Sequence, residues 1–387
     1  MQESANTKKF LILCTTVFLG FLTIGLPLAV LPGQIRDLLG FSALIVGFVI
    51  GIQSFATVMT RHIAGSNADR VGAKPTVRMG LCMGAASGLI YFLSSRFQDQ
   101  HFFSLGLLVV GRLFLGLGES LLITGALTWG IGLMGIQKSG KVMAWNGIAM
   151  YGALSIGAPI GLFIARYFHF SGVAVGACVA PLLGVWLTRF IPSVHEKNVL
   201  AEKVPFFKTV QSIWKYGLGM ALGTLGFGAL STFIVLYFSA KGWGNAGVAL
   251  LIFGASYIGV RLVAGHLPDK IGGRTIAIVS LFVEAVGQGL IWIAPNLFCA
   301  YAGVALTGFG FSLVFPAFGV QAMKRISANN RGAALGAFFA FFDISLGCTG
   351  PLSGAVASLF GYPAIYLMGM IAALGATAIA VIGGDTK

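Results

Sequence analysis

Apolar runs of about 20 residues or more follow one another along almost the whole chain. A helix needs roughly 20 apolar residues to cross a bilayer, and only 9% of the 387 residues are charged. No water-soluble fold of this length could hide so much apolar surface. The sequence therefore predicts an all-α membrane protein with twelve transmembrane helices, at residues 10–32, 41–64, 77–95, 102–134, 142–165, 172–191, 209–239, 245–265, 275–294, 298–323, 332–358 and 363–383.

A single long polar connection, residues 192–205, divides these spans into six plus six. We therefore predict an N-terminal bundle at 1–191, a cytoplasmic linker at 192–208 and a C-terminal bundle at 209–387. Two bundles of six parallel-repeated spans form a known transporter plan, whose site lies near the midplane between the repeats.

A duplicated motif supports this division. The first copy comprises Arg61, Gly65, Asp69, Arg70 and Gly72. The second copy, 200 residues later, comprises Arg261, Gly265, Asp269, Lys270 and Gly272. Beyond the motif the offset becomes 192, and it relates Gly111, Gly116, Gly118 and Pro159 to Gly303, Gly308, Gly310 and Pro351.

The distribution of Lys and Arg predicts the orientation. If the N-terminus is cytoplasmic, only Arg36, Arg96, Arg166 and Lys241 of the 25 basic residues fall on the outer side, and Arg112 lies within a span. Because cytoplasmic loops are enriched in Lys and Arg, we expect both termini and the central linker in the cytoplasm.

The net charge of +14 does not indicate nucleic-acid binding, because the cations are spread over many short loops and form no run interleaved with aromatic residues. No HExxH, paired DxxxD or GxSxG motif occurs in a suitable setting. We expect neither an enzyme nor a cofactor or metal site.

Three motifs carry a resemblance to the major facilitator superfamily. Residues 65–74, GSNADRVGAK, resemble its loop 2–3 signature, with Ala73 where the family usually has Arg. Residues 111–118, GRLFLGLG, and 152–161, GALSIGAPIG, resemble the fourth- and fifth-span motifs of its drug:proton antiporters. The sequence of residues 118–120 and 145–152 further resembles that of the YhhS/YfcJ-type branch.

The resemblance implies gating roles at the cytoplasmic side. Asp69 would bond to the N-terminus of the eleventh span near Arg331, where the helix carries partial positive charge, and so hold that side closed. The alternative is that these residues are topology charges at a helix end. Pro159 and Pro351 would bend their spans. The full predicted gating set is Arg61, Gly65, Asp69, Arg70, Pro159, Arg261, Asp269 and Pro351.

Four ionisable side chains fall deep within spans: Arg112, Glu119, Glu284 and Asp343. Charges there are costly and usually functional. Arg112 and Glu119 share a face of the fourth span, but side chains slant toward the helix start, so we expect Arg112 to meet another span and Glu119 to titrate. Glu119 and Asp343 are predicted proton sites, each against a structural alternative. For Glu284 we favour a structural link, with Gln288, to a neighbouring helix over proton coupling.

A small-molecule pocket is typically apolar with a few polar groups. The predicted substrate-binding residues are Arg112, Glu119, Asn146, Tyr151, Tyr237 and Tyr257. Simple packing or an interfacial belt is the alternative for the aromatic residues.

These features predict a monomeric transporter of the bacterial inner membrane. We expect it to export a small organic solute, such as a drug, sugar or metabolite, in exchange for protons by alternating access. Proton-coupled uptake is the alternative within transport. A non-transporting membrane sensor or scaffold is the alternative of another class.

The orientation is open to a direct measurement. Alkaline phosphatase folds only outside the cytoplasm, so we expect a fusion after Asn296, between the ninth and tenth spans, to be active and a fusion after Lys387 to be inactive. A green fluorescent protein at Lys387 should fluoresce. The reverse pattern at both positions would contradict the predicted orientation.

Overall fold

The structure, a computed structural model, describes residues 2–135, 138–194, 206–325 and 331–382. Eleven long α-helices account for most of them: α1 Gln2–Leu28, α2 Ala43–Arg70, α3 Ala73–Arg96, α4 His101–Met134, α5 Ser139–Leu187, α6 Phe206–Ala240, α7 Ala246–Ala264, α8 Gly273–Ile293, α9 Leu297–Lys324, α10 Arg331–Phe360 and α11 Pro363–Ile382. Short helical segments lie at Leu31–Gly33, Gln34–Leu38, Thr188–Phe190 and Leu267–Lys270.

All eleven helices contain a stretch long and apolar enough to cross a membrane. Helix α5 accounts for the difference from the twelve predicted spans. Its 49 residues would extend about 74 Å if straight, more than twice the hydrocarbon thickness. At His169 the backbone leaves the helical region (φ 55°, ψ −167°), between the spans predicted at 142–165 and 172–191. The twelve predicted spans are confirmed.

The chain divides into two compact units. The first comprises Met1–Phe41 and Ile52–Asn198, and the second comprises Ser42–Gly51 and Val199–Lys387. This differs from the predicted division in one respect, because the first turns of α2 group with the second unit. Most of the predicted linker, residues 195–205, lies outside the described residues.

Glycines let the helices of both units approach closely. In the first unit, a Cβ atom on Gly118 of α4 would lie 2.7 Å from the carbonyl oxygen of Gly80 on α3. In the second unit, a Cβ on Gly310 of α9 would lie 2.6 Å from the backbone nitrogen of Glu284 on α8. Gly118 and Gly310 are related by the offset of 192, so the sequence repeat corresponds to a repeat of helix contacts.

The first turns of α2 also pack closely at glycines, within the second unit. A Cβ atom on Gly47 or Gly51 would collide with the carbonyl oxygens of Gly350 and Gly347 on α10. Without side chains at these positions, the two helix backbones are in direct contact.

The two copies of the duplicated motif differ in local structure. Helix α2 continues through Asp69 and ends at Arg70, whereas α7 ends at Ala264 and a short helix containing Pro268 follows. Proline cannot continue a helix because it lacks the N–H donor. Both copies then turn at a glycine with positive φ, 105° at Gly72 and 104° at Gly272. Other residues would be strained in this conformation, which explains why glycine recurs there.

A cation just after each copy holds the end of the last helix in its unit. Lys74 donates from Nζ to the carbonyl of Ile191 at 2.6 Å. Arg274, 200 residues later, donates to the carbonyls of Ala380 (3.3 Å) and Val381 (2.5 Å). The last carbonyls of a helix have no intrahelical donor, and a cation there is favourable.

The glycine contacts predict a sharp difference between two substitutions. A Cβ atom on Gly161 of α5 would collide with the carbonyl of Leu26 on α1, whereas a Cβ on Gly106 of α4 would meet nothing within 4 Å. We expect Gly161→Ala to lower the free energy of unfolding by about 1–3 kcal/mol, as overpacking does. Gly106→Ala is the matched control and should be neutral or slightly stabilising. Chemical unfolding in detergent measures both, and equal stabilities would contradict this account.

Candidate functional site

The charged pair of the first unit lies on α4. Arg112 is buried, with 1% of its surface exposed, and Glu119 is half-buried two turns further along. The structure shows no direct ion pair between them. Arg112 instead contacts another helix, as the sequence predicted.

Gln53 on α2 joins the two charges. Its side-chain oxygen Oε1 accepts a hydrogen bond from Nη1 of Arg112. Its side-chain nitrogen Nε2 donates to Oε2 of Glu119 at 2.8 Å. One side-chain amide therefore forms hydrogen bonds with a cation and an anion at once.

Thr57, one turn after Gln53, adds a hydroxyl contact to the same carboxylate. Its Oγ1 lies 3.2 Å from Oε2 of Glu119, 3.2 Å from the carbonyl of Gly116 and 3.1 Å from the carbonyl of Gln53. Gly116 makes this possible, because a Cβ there would collide with the backbone carbonyl of Gln53. We call Gln53, Thr57, Arg112 and Glu119 the polar cluster.

A narrow crevice with room for about one water molecule lies beside Glu119. Apart from Glu119 its walls are apolar side chains and glycines from α1, α3, α4 and α5, including Phe21, Leu81, Leu115 and Pro181. Glu119 is therefore the one ionisable group that lines this crevice.

Arg112 also keeps donors that no described protein atom accepts. Its Nε and Nη2 are buried without a hydrogen-bond partner among the described residues. Tyr91 interacts electrostatically with Arg112. Buried polar groups are normally hydrogen-bonded to protein or to ordered water. The two Arg112 nitrogens can therefore donate to water or to a polar ligand.

The second unit has no equivalent cluster at the matched positions. The repeat relates Gln53 to Phe253, Arg112 to Val304 and Glu119 to Phe311. The backbone contact is retained, since a Cβ on Gly308 would lie 2.5 Å from the carbonyl of Phe253. The side chains there form an aromatic stack, with Phe227 centred 5.1 Å from Phe253 and 5.0 Å from Phe311.

Glu284 on α8 lies in a sealed position. It is 0% exposed, and neither carboxyl oxygen has a hydrogen-bond partner among the described residues. Gln288 makes the link between helices, donating to the carbonyl of Gly226 on α6 and to Oγ1 of Thr307 on α9, both at 3.3 Å. The hydrogen bonds of the predicted structural link are therefore made by Gln288, and neither carboxyl oxygen of Glu284 takes part in them among the described residues.

Asp343 on α10, the other predicted proton site, is 2% exposed within the second unit. Its proton-carrying role stays a prediction.

The remaining predicted substrate residues are buried in their own units. Tyr237 donates to the carbonyl of Ile291 at 3.0 Å, and Tyr257 accepts from Nη2 of Arg261 at 2.5 Å. Asn146 contacts the sulfur of Met150 at 3.6 Å, and Tyr151 is also buried.

Of the gating residues, Asp69, Arg70 and Asp269 are exposed at helix ends, and Arg61 is half-buried. A Cβ atom on Gly65 would meet no described atom within 4 Å, so the close helix contact expected at Gly65 is absent from the described part of the chain. Residues 326–330 and the side chains of 331–335, where the partner of Asp69 was expected, lie outside the described residues. The backbone remains helical through Pro159 and Pro351.

Comparisons with known proteins agree with this architecture. The model of the Major Facilitator Superfamily matches residues 13–267 and 245–385. An uncharacterised MFS-type transporter of Burkholderia mallei (strain SAVP1) is 44% identical over 381 residues, which are 98% of this chain and 92% of that protein. One from Pseudomonas aeruginosa (strain LESB58) is 44% identical over 386 residues, covering 98% and 95%. The chain belongs to the major facilitator superfamily of membrane transporters.

Solved structures share the fold at low sequence identity. A D-xylose–proton symporter has a TM-score of 0.78 at 16% identity, covering 95% of this chain and 97% of that one. A point mutant of the nucleoside transporter NupG has a TM-score of 0.75 at 16% identity, covering 97% and 100%. The human organic anion transporter MFSD10 has a TM-score of 0.73 at 14% identity, covering 97% and 99%. The predicted fold of twelve helices in two pseudo-symmetric bundles is confirmed.

The hydrogen bonds of the second unit predict different roles for two neighbours on α8. We expect Gln288→Met, which keeps the size of the side chain, to lower the free energy of unfolding by about 0.5–1.5 kcal/mol, because two hydrogen bonds are lost. Glu284→Gln should cost less, since the carboxyl makes none of these bonds. Unfolding in detergent compares the two, and a larger loss for Glu284→Gln would refute the assignment.

Proposed function

We propose that this transporter exports a small organic solute in exchange for protons, by alternating access, and that Glu119 carries the proton. The observation that supports this most is the placement of Glu119, half-buried at a crevice and bonded to Gln53, which in turn bonds Arg112. Arg112 would tune the charge on Glu119 and offer donors to a solute.

A proton carrier needs two protonation states of similar free energy. Hydrogen bonds from Gln53 and Thr57 favour the ionised carboxylate, whereas the apolar crevice walls favour the neutral acid. Glu284 differs from Glu119, since it is sealed and has no hydrogen-bond donor in the described part of the chain.

The direction of transport is inferred from the fifth-span motif at residues 152–161, which resembles that of antiporters. We propose export on this basis. The same proton site would serve uptake, so the direction of solute flux under a pH gradient decides between them.

We propose the cytoplasmic latch at Asp69 as a second element of the mechanism. Asp69 is exposed at the end of α2, the same helix that carries Gln53 and Thr57. With the orientation inferred from the basic residues, the latch and both termini lie in the cytoplasm, and the bacterial relatives favour the inner membrane.

The test is transport in proteoliposomes with an imposed pH gradient, using a panel of sugars, drugs and organic anions and a pH-sensitive dye inside the vesicles. We expect a transported solute to move protons in the opposite direction in the wild type. Glu119→Gln should abolish the pH-driven accumulation of that solute, because the side chain can no longer exchange a proton.

Glu284→Gln is the matched control and should retain the pH-driven transport. If Glu119→Gln accumulates the solute as the wild type does, the proposed proton site is wrong. If solute and protons move in the same direction, uptake replaces export.

A further inference from the structure

Gln53 lies at the point where helix α2 changes partners. The first turns of this helix, through Gly51, belong to the second unit, and the helix belongs to the first unit from Ile52 onward. Gln53 is therefore two residues past the change. Its side chain forms hydrogen bonds with two side chains of α4, which belongs to the first unit.

The amide of Gln53 fits its two partners in one orientation only. A side-chain amide has one acceptor end and one donor end. Here Oε1 faces the guanidinium of Arg112, which can only donate, and Nε2 faces the carboxylate of Glu119, which accepts when ionised. Turning the amide over would place donor against donor and acceptor against acceptor, so the ionised pair fixes both the amide and the backbone that carries it.

The bond from Gln53 to Glu119 depends on the charge of Glu119. Hydrogen bonds to an ionised group are roughly twice as strong as those between neutral groups. A proton on Oε2 would also turn that atom from an acceptor into a donor, opposite the Nε2 donor of Gln53. Protonation therefore weakens one of the contacts that hold α2 in this position against α4, while the backbone contact at Gly116 remains.

We propose that Gln53 is a positioning residue that couples the protonation of Glu119 to the packing of α2 against α4. This rests on the proposed role of Glu119 as the proton carrier. The coupling would pass each proton-binding event to a helix whose other end packs within the second unit and whose last turn carries Asp69.

Two groups shown around this bond bear on its pH dependence. Arg112 on α4 donates to Gln53, and Tyr91 on α3 interacts electrostatically with Arg112. The residues that line the crevice from α1, α3 and α5 are apolar or glycine. Phe253 holds the matched position in the second half, so the coupling belongs to the first half alone.

The experiment follows the charge of Glu119 and the position of α2 separately, in the full-length protein reconstituted in lipid. Infrared difference spectra detect the protonated carboxyl of Glu119, identified by its loss in Glu119→Gln. Spin labels at His62→Cys on α2 and Arg189→Cys, both exposed and both in the first unit, report the distance between the two positions. The five native cysteines are replaced with alanine.

In the wild type, we expect the carboxyl band and the distance distribution to change together over the same pH range. In Gln53→Met, which has the same length without either hydrogen bond, the band should still titrate while the distance change is lost. Gln53→Asn keeps an amide that is too short to reach both partners, and it should at least halve the change. Phe253→Leu is the matched control and should alter neither readout.

The two proposals fail differently. If the Glu119 band titrates but the distance does not change in the wild type, or changes fully in Gln53→Met, the role of Gln53 is wrong and the proton site stands. If no band from Glu119 titrates in the wild type, the proposed proton site is wrong, and the role of Gln53 falls with it. If Gln53→Met does not fold, Gln53→Asn decides, and an undiminished distance change there overturns the coupling.

Discussion

Direct contact between helix backbones organises both units. In lipid, apolar side chains gain little by leaving one apolar environment for another, so helices associate through close packing and hydrogen bonds. Gly118 against Gly80 and Gly310 against α8 are examples in the two halves. At Gly116 the same closeness brings α2 near enough to α4 for Gln53 and Thr57 to bond Glu119. The proposed proton site therefore depends on glycine positions, where the absence of a side chain lets the helices approach closely.

The two halves have kept this backbone framework and diverged in what they place on it. Gly308 faces the carbonyl of Phe253 much as Gly116 faces that of Gln53. The first half fills the adjacent space with a cation, an anion and an amide, and the second half fills it with stacked aromatic rings. A buried charge in a membrane is costly unless it is paired. The duplication thus places charged side chains beside this backbone contact in the first half and aromatic rings in the second.

Much of the fold was predictable because it follows from local pattern. Apolar runs gave the twelve spans, and the recurrence of Gly72 at Gly272 reflects a turn that both copies need. The contact of Arg112 with another helix was also predictable, because helical side chains slant toward the start of their helix. Gln53 and Thr57 were not predicted. They are uncharged, and only their spacing of four residues on an apolar span hints at a shared face. The grouping of residues 42–51 with the second unit depends on long-range packing that one sequence does not encode locally.

The division of α2 between the two units has a mechanical consequence. The helix runs without a break from Ala43 to Arg70 and contains no proline, one cause of sharp kinks. Asp69 lies 16 residues beyond Gln53, or about 24 Å along the axis. A tilt of about 5° pivoting at Gln53 would therefore displace the backbone of Asp69 by about 2 Å. A change in one hydrogen bond near Gln53 would then displace the motif at the end of the helix by a larger distance than it moves Gln53 itself.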